Sequence, residues 1–551
     1  MIDTDILIVG AGPVGLIAAL DLVRRGIRVC VLELRPAGDP PSVKCNHVSS
    51  RTMEILRTLG LSRAIRAVGL PDDFPNDVVF RTRFSGREFA RIPIPCRRNR
   101  YAGGAGPDTG WPTAEPPHRC NQRYFEPILF GAAKQSPRIR VINRADFTTA
   151  RQDDQGVTAT YRDLETQEIH TVHARYLIGC DGGRSTVRRL IGSTLQGDAV
   201  VQRVQSTLID APDLLATLQG SPAWMNYNYN PERAGTVIAI DGRRHWLVHN
   251  YLLPDEVDFG SVDRDASLRA ILGVDDQFKI EILSEEDWIG RRLVADKFRE
   301  ERIFIAGDAA HLWVPYAGYG MNAGIADATN LTWLLGAVLN GWAPSGILEA
   351  YVAERKPITE QVSKLAMGYA AGAIRERNTV PAAIEDATPE GERARRDLGE
   401  KAYRANVQQY ACAGLNYGYY YDDSPIIVKD SEPPPAYSMH DYTPSTVPGC
   451  RCPHFFVADG RSLYDLWTDG FALLQLDRTI DLCPLRDAAA KRRIPLVILP
   501  LDRALDHVPP AYQHSLVLAR PDRHVAWRGK HLIDPEALLD QITGAGTDRR
   551  H

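Results

Sequence analysis

An α/β fold is predicted by three stretches, each an apolar run that ends in a glycine-rich turn. They are "DILIVGAGPVGLIAALDLVRRGIRVCVLELR" at the N-terminus, "ARYLIGCDGGRSTVRRLIG" over 174–192, and "RIFIAGDAAHLWVPYAGYGMNAG" over 302–324. In the first, Ile6–Val9 is short and continuously apolar, as a parallel strand buried on both faces should be. Residues 16–25 carry a helix, Gly26 ends it, and "IRVCVLE" returns as a second parallel strand. Gly10, Gly12 and Gly15 form G-x-G-x-x-G, with Pro13 and Val14 inside it. The first glycine permits the tight turn, the second lets backbone approach a pyrophosphate, and the third lets helix pack on strand. The helix start then offers unpaired N–H groups and a positive dipole end to phosphates. Glu33 ends the second strand where an acid reaches ribose hydroxyls. The unit is read as a Rossmann-like adenine-dinucleotide site. Alone it does not separate NAD from FAD.

The rest of the composition sets bounds. A chain of 551 residues is expected to fold as two to four domains. It is 44% hydrophobic and 24% charged, an ordinary balance for a globular protein. A net charge of −4 argues against nucleic-acid and anionic-membrane partners, which call for a basic stripe. Of the 9 cysteines only Cys450 and Cys452 are close, and "CRC" lacks redox or zinc spacing, so reduced thiols are expected. "MIDTDILIVGAG" has no basic leader region, and no apolar run reaches the roughly 20 residues that span a bilayer. A cytoplasmic protein without a metal centre is the expectation.

The third stretch carries chemistry. Asp308 follows "IFIAG" and so sits at the carboxyl end of a strand, where α/β sheets bind ligands and where it can accept hydrogen bonds from sugar-like hydroxyls; a helix N-cap is its other reading. "PYAGYGMNAG" then opens a helix. The N–H groups around Gly320, Met321 and Asn322 can face a ring edge that becomes negative on reduction. His311, in "DAAHL", is read as structural.

Together the three motifs resemble the single-component FAD aromatic hydroxylases of the p-hydroxybenzoate hydroxylase type, in their larger phenol-hydroxylase and antibiotic-pathway subgroup. The resemblance implies FAD as cofactor, NADPH or NADH as a transient co-substrate, and O2. It implies that Gly307-Asp308 hold the ribityl or pyrophosphate region and that Asp181-Gly182 serve both FAD and NAD(P)H. Lys44 stands where the family usually has Arg at the pyrophosphate; it keeps the charge and loses the bidentate fork. Gln122, at a helix start in "HRCNQRYFEPIL", is expected to bind FAD. Asn46 and His47 fall where relatives approach the aromatic ring, and His47 is the better general-base candidate, against a purely structural histidine. Pro315 should line the pocket beside the flavin.

The implied architecture is a discontinuous FAD-binding domain (1–75, 100–190, 285–370) with an inserted β-sheet substrate domain (76–99, 191–284). A helical segment and linker (371–445) and a thioredoxin-like C-terminal domain (446–551) follow. That last domain lacks Cys-x-x-Cys, so a structural or dimer-supporting role is expected. Within this frame, 43–69 reads as one long amphipathic helix with Met53, Ile55, Leu56 and Leu59 inward. The Gly/Pro-rich run 97–117 reads as a mobile loop near the site or as surface variation. In "WMNYNYNPERAGTVIAIDGRRHWLVHNYLL" the alternation predicts strands around a "DGRR" turn. Tyr227, Tyr229 and His249 are its substrate-pocket candidates, and an ordinary two-sided sheet explains them equally well. "IEDATPEGERARRDLGEKA" reads as a surface helix or loop.

The implied activity is hydroxylation of a phenolic or polycyclic aromatic substrate through a flavin C4a-hydroperoxide. The alternatives are a Baeyer–Villiger or oxidative-decarboxylation enzyme, a flavin oxidase or dehydrogenase, and a flavin-containing protein that binds a pathway intermediate.

Overall fold

The computed structural model describes residues 3–102 and 106–546. Residues 103–105, at the middle of the Gly/Pro-rich run, lie outside them. One eight-stranded sheet has a parallel centre in which Ile303–Ile305, Ile169–Gly179, Thr4–Val9, Val29–Leu32 and Ile139–Ile142 lie side by side. Leu7, Ile8, Val31, Leu177 and Phe304 are wholly buried, which explains why these strands read as continuous apolar runs. Their carboxyl ends, at Val9, Leu32, Gly179 and Ile305, share one edge. The glycine turn, Glu33, Asp181 and Asp308 therefore converge on it.

The first helix, Pro13–Arg24, begins earlier than the sequence suggests because proline is preorganised for a first turn. It packs against Gly320–Leu339, a helix buried along most of its length. The single helix expected over 43–69 is instead two, Ser50–Thr58 and Ser62–Arg66, broken where Gly60 adopts φ 74°. The loop before them stays extended until Ser49 caps Thr52.

The second eight-stranded sheet runs Glu88–Ile92, Val78–Arg81, Met225–Asn228, Gly235–Ala239, His245–Tyr251, Leu195–Asp210, Glu281–Ala295 and His311–Trp313. It extends beyond the expected limit at 284, taking up residues to Ala295 and a short strand from beside Asp308. The "DGRR" turn forms as read, with the Asp241 carboxylate accepting from the N–H groups of Arg243, Arg244 and His245. One face packs on the helix Arg264–Leu272 through Trp246, Ile271 and Leu272. The other is covered by Glu349–Asn378 and Pro389–Tyr410. The second of these contains the stretch read as a surface helix or loop; Arg395, Leu398, Ala402, Asn406 and Tyr410 are buried, at the spacing of one helical face.

In the C-terminal part, Phe471–Gln475 pairs in parallel with Leu496–Pro500 and antiparallel with Leu516–Ala519, which pairs with Val525–Gly529. Helices Cys483–Lys491 and Pro535–Ile542 flank the sheet, giving the thioredoxin-like arrangement. All nine cysteines are free.

Candidate functional site

The cradle at the parallel edge is made of backbone. Gly10 has φ 102°, and a Cβ there would lie 2.3 Å from the Cys180 carbonyl oxygen. A Cβ on Gly15 would lie 2.0 Å from the Gly10 carbonyl oxygen. Strand end, turn and helix therefore touch with no room for a side chain. Gly307 (φ 62°) rests on Val14, and a Cβ on Gly324 would meet the Gly307 Cα at 2.8 Å. By contrast, Gly12 and Gly320, at the starts of the two central helices, each have open space where a Cβ would go. Neither helix start has a side-chain cap. Two uncapped helix starts facing open space fit the pyrophosphate and the ring edge of a flavin dinucleotide.

Around this cradle the predicted residues take varied positions. Glu33 accepts from the Ala11 N–H (2.6 Å) and from Arg35 N and Nε (3.0 and 2.8 Å). Arg35 continues to Glu126 (2.8 Å), which also accepts from Gln122 Nε2 (2.8 Å). Glu33 and Gln122 thus belong to one chain of hydrogen bonds. Asp308 is exposed at the mouth of the cleft yet crowded by protein atoms, which push its carboxyl pKa up. Beneath it, a buried ion cluster fixes the turn: Asp327 binds His311 Nε2 (2.6 Å), Arg355 Nε (2.9 Å) and the Gly307 N–H (3.3 Å). His311 is structural, as read. Removing one partner from such a buried cluster costs about 3–5 kcal/mol.

Other expectations shift. The Asp181 carboxylate accepts from the N–H groups of Thr186 and Val187 at 2.7 and 3.1 Å and from Ser185 Oγ. It caps the following short helix, and Gly182 (φ 76°) turns the chain into it. What this motif brings to the cradle is the Cys180 backbone under Gly10. Lys44 points to the other sheet, pairing with Glu286 at 2.5 Å, both groups about half exposed. Asn46 Oδ1 accepts from Asn121. The Asn322 side chain is fully used, accepting from Ser49 N and Thr52 Oγ1 and donating to the His47 and Gly318 carbonyls. Its contribution to a ring edge is left to its backbone. The Met321 N–H meets the Cys45 sulfur, and burial pushes the Cys45 thiol up to about 12. Pro315 is exposed.

The general-base expectation for His47 needs correction. Its ring packs on Gly318 (φ 61°), with a Cβ there 3.0 Å from the His47 Cβ. Its Nδ1 accepts from Arg119 Nη1, so the proton-accepting nitrogen is occupied and Nε2 carries hydrogen. Burial, then Arg119, Arg100 and His118, hold its pKa well below the usual value. His47 is a neutral donor. Arg119 is itself held by Asp108 (3.2 Å), which also binds Arg100 (2.8 Å) and Trp111 Nε1 (2.5 Å). Asp108 is 1% exposed, so this described part of the Gly/Pro-rich run is anchored.

Register assembles the candidate substrate face. Phe80, Tyr227, Thr236, His249, Ser206 and Glu286 are successive cross-strand partners. They form one row on one face, and its last member reaches Lys44 in the cleft loop. Tyr227 stacks on Phe80 (centroids 5.1 Å) and its hydroxyl meets that of Tyr410 at 2.9 Å. Tyr229 donates to Glu376 at 3.2 Å, and burial raises that carboxyl. His249 bonds Ser206 Oγ at 2.7 Å, and burial pushes it down to about 4. Arg377 lies 4.0 Å from the centre of the Tyr251 ring and donates to Tyr316 in the flavin-side loop at 3.0 Å.

Sequence reasoning missed Arg35, Arg119, Asp108, Tyr316, Glu376, Arg377 and Tyr410. For Tyr410 a signal existed in the helical spacing of 395, 398, 402, 406 and 410. Arg119 lay inside a stretch already singled out for Gln122.

The comparisons agree with this geometry. Residues 3–366 match the family model of the FAD binding domain, and residues 445–545 match that of the aromatic-ring hydroxylase C-terminal domain. The chain is 31% identical to the tetracenomycin B2 monooxygenase-dioxygenase of Streptomyces olivaceus over 98% of both chains. It is 28% identical to the phenol 2-monooxygenase of a Pseudomonas strain, over 99% of this chain and 93% of that one. Among solved structures, the rebeccamycin biosynthetic enzyme RebC with reduced flavin superposes with a TM-score of 0.87 at 32% identity, covering 99% of each chain. With its backbone cradle, its aromatic sheet face and these relatives, the chain belongs to the family of FAD-dependent aromatic-ring hydroxylases.

Proposed function

We propose that this protein is an FAD-dependent monooxygenase that uses NAD(P)H and O2 to hydroxylate a phenolic or polycyclic aromatic ring. The observation that carries the reading is the in-register row from Phe80 through Tyr227 and His249 to Glu286, on a sheet whose Tyr251 is joined through Arg377 to Tyr316 in the loop before Gly320. Relatives named for phenol and tetracenomycin support an aromatic substrate of either size.

Bound FAD would supply the hydride acceptor and the activation of O2. This chain does the rest. Gly12 and the N–H groups of Val14 and Gly15 would receive the pyrophosphate, Glu33 a ribose, and Asp308 the ribityl hydroxyls. The first-turn N–H groups after Gly320 would favour negative charge at the ring edge. Tyr227 and Tyr251 would flank the substrate, and the Arg377–Tyr316 pair would close the pocket against water. His47, fixed by Arg119, donates from Nε2 to a substrate or ring oxygen. A phenolic proton leaves through Tyr229 to Glu376, whose raised carboxyl makes it a usable acceptor.

The test is consumption of O2 and NAD(P)H across a panel of phenols and fused-ring phenols under labelled O2. Substrate-stimulated turnover that places one labelled oxygen on the ring is expected. A tightly held aromatic ligand without oxygenated product overturns the reading in favour of an intermediate-binding protein. Label inserted beside a carbonyl marks Baeyer–Villiger chemistry.

A further inference from the structure

Away from the flavin edge, a cavity of about 60 Å3 lies where the C-terminal part meets the dinucleotide domain. Its walls come from three helices, Pro13–Arg24, Ser50–Thr58 and Gly320–Leu339, and from the C-terminal residues Arg451 and Pro521–Arg523. Five guanidiniums line it: Arg24, Arg25, Arg51, Arg451 and Arg523. Three carboxylates join them: Asp21, Glu54 and Asp522.

The carboxylates are already committed. Asp21 binds Arg25 at 3.0 Å, Glu54 binds Arg451, and Asp522 binds Arg520 at 2.6 Å. Arg24 shares Asp21 at 3.1 Å and also pairs outward with Asp469. Arg51 and Arg523 are left without a carboxylate of their own. For Arg523 the nearest is Glu54 at 3.7 Å, and its Nη2 bonds Thr58 Oγ1. Arg51 Nη2 bonds His524 Nε2 at 3.1 Å. His524 offers no charge in return, because its Nδ1–H donates to the Gly449 carbonyl at 2.9 Å and Nε2 is then the bare acceptor. Even with Glu354 counted behind Arg520, the guanidiniums outnumber the carboxylates.

Two donors at this cavity are unsatisfied. Arg51 Nη1 and Arg451 Nη1 are both buried with no hydrogen-bond partner, and Arg451 is 2% exposed. The faces of these guanidiniums lie over Tyr419 and Tyr417, at 4.8 and 4.3 Å, so the unpaired N–H groups are the part of each cation left to be met. The cavity has room for a few waters or one tetrahedral oxyanion, and water does not balance the charge.

We propose that this cavity is a binding site for a small inorganic oxyanion such as phosphate or sulfate, held by Arg51, Arg451 and Arg523. The anion bridges the helix Ser50–Thr58 to the C-terminal part and so fixes the docking of one on the other. The same helix is capped by Ser49, whose N–H is held by Asn322, and Arg51 lies in its first turn, four residues after His47. This site is separate from the flavin cradle and does not depend on the reading of the activity.

The test is thermal unfolding of the FAD-loaded protein with increasing inorganic phosphate at constant ionic strength. A rise that grows with the logarithm of phosphate concentration is expected, about 2 °C at about 100 times the dissociation constant. It should vanish in Arg51→Gln and persist in Arg404→Gln, which changes an exposed arginine far from the cavity. A rise that is equal in Arg51→Gln reflects general salt effects and overturns the proposal, as does no rise at all. Should Arg51→Gln fail to fold, calorimetric titration of the unaltered protein decides: heat fitting one phosphate per chain supports the site, and its absence refutes it.

Discussion

The flavin cradle and the substrate face are built from different material. The cradle is backbone: glycines at 10, 15, 307 and 324 remove side chains so that main chain can touch main chain, and Gly12 and Gly320 leave room for a ligand. The proposed substrate face is side chain: arginines, tyrosines and a glutamate delivered by one sheet, two helices and loops. Backbone sites need a local pattern, because a turn and a helix start are made by neighbours in sequence. Side-chain sites need register and packing, which bring together residues as distant as Tyr227 and Tyr410.

That difference predicts different responses to mutation. Gly10→Val should give the largest effect, because the new side chain meets the Cys180 carbonyl. Flavin content, read from the visible absorbance against protein, should fall to near zero. Retained flavin would break the distinction.

Arg119→Met should leave flavin bound while turnover falls about 100-fold, in the range expected for a mispositioned catalytic group. The freed His47 Nδ1 should then accept a proton more readily, moving an acid limb of the pH–rate profile upward while burial still holds it below the ordinary histidine value. An unchanged profile would remove Arg119 from the account.

Acid should separate the regions further. Burial pushes His118 down to about 3 and His249 and His454 to about 4. Unfolded, each returns to about 6.5. Between these values the unfolded chain binds more protons, so stability is lost as pH falls from 6.5 toward 4, by up to about 1.4 kcal/mol per pH unit for each group. Asp308 and Glu376, whose carboxyls are raised, offset part of this with the opposite sign. The melting temperature of His249→Gln should depend less on pH over that window; an equal dependence would mean His249 is not buried neutral.

Tyr410→Phe should give the smallest effect. It removes one hydroxyl facing Tyr227 and costs about 1 kcal/mol of stability, seen as a shift in denaturant midpoint. A larger change in KM than in stability would place Tyr410 against the substrate.

The same contrast explains what was legible in the sequence. Three glycine motifs and two strand-end acids, Glu33 and Asp308, pointed to the carboxyl edge of the parallel sheet, where the structure brings them together, since each motif is a strand, turn and helix in immediate succession. The alternation in 224–253 disclosed a sheet and grouped Tyr227 with Tyr229. It did not show which face met the cleft, because that depends on pairing with Leu195–Asp210 and on the helices packed above. Asp181 was legible as a strand-end acid, but its hold on the N–H groups of Thr186 and Val187 was not, because that is set by the turn of the next five residues. His47 looked like a base until Arg119, far away in sequence, proved to occupy its free nitrogen.

The measurement that tests the central claim most directly is titration of the flavin-stripped protein with FAD, followed by absorbance and fluorescence. The account predicts saturation at one FAD per chain, with the bound spectrum lost in Gly10→Val and kept in Arg119→Met. Failure of the unaltered chain to bind FAD at all would contradict it.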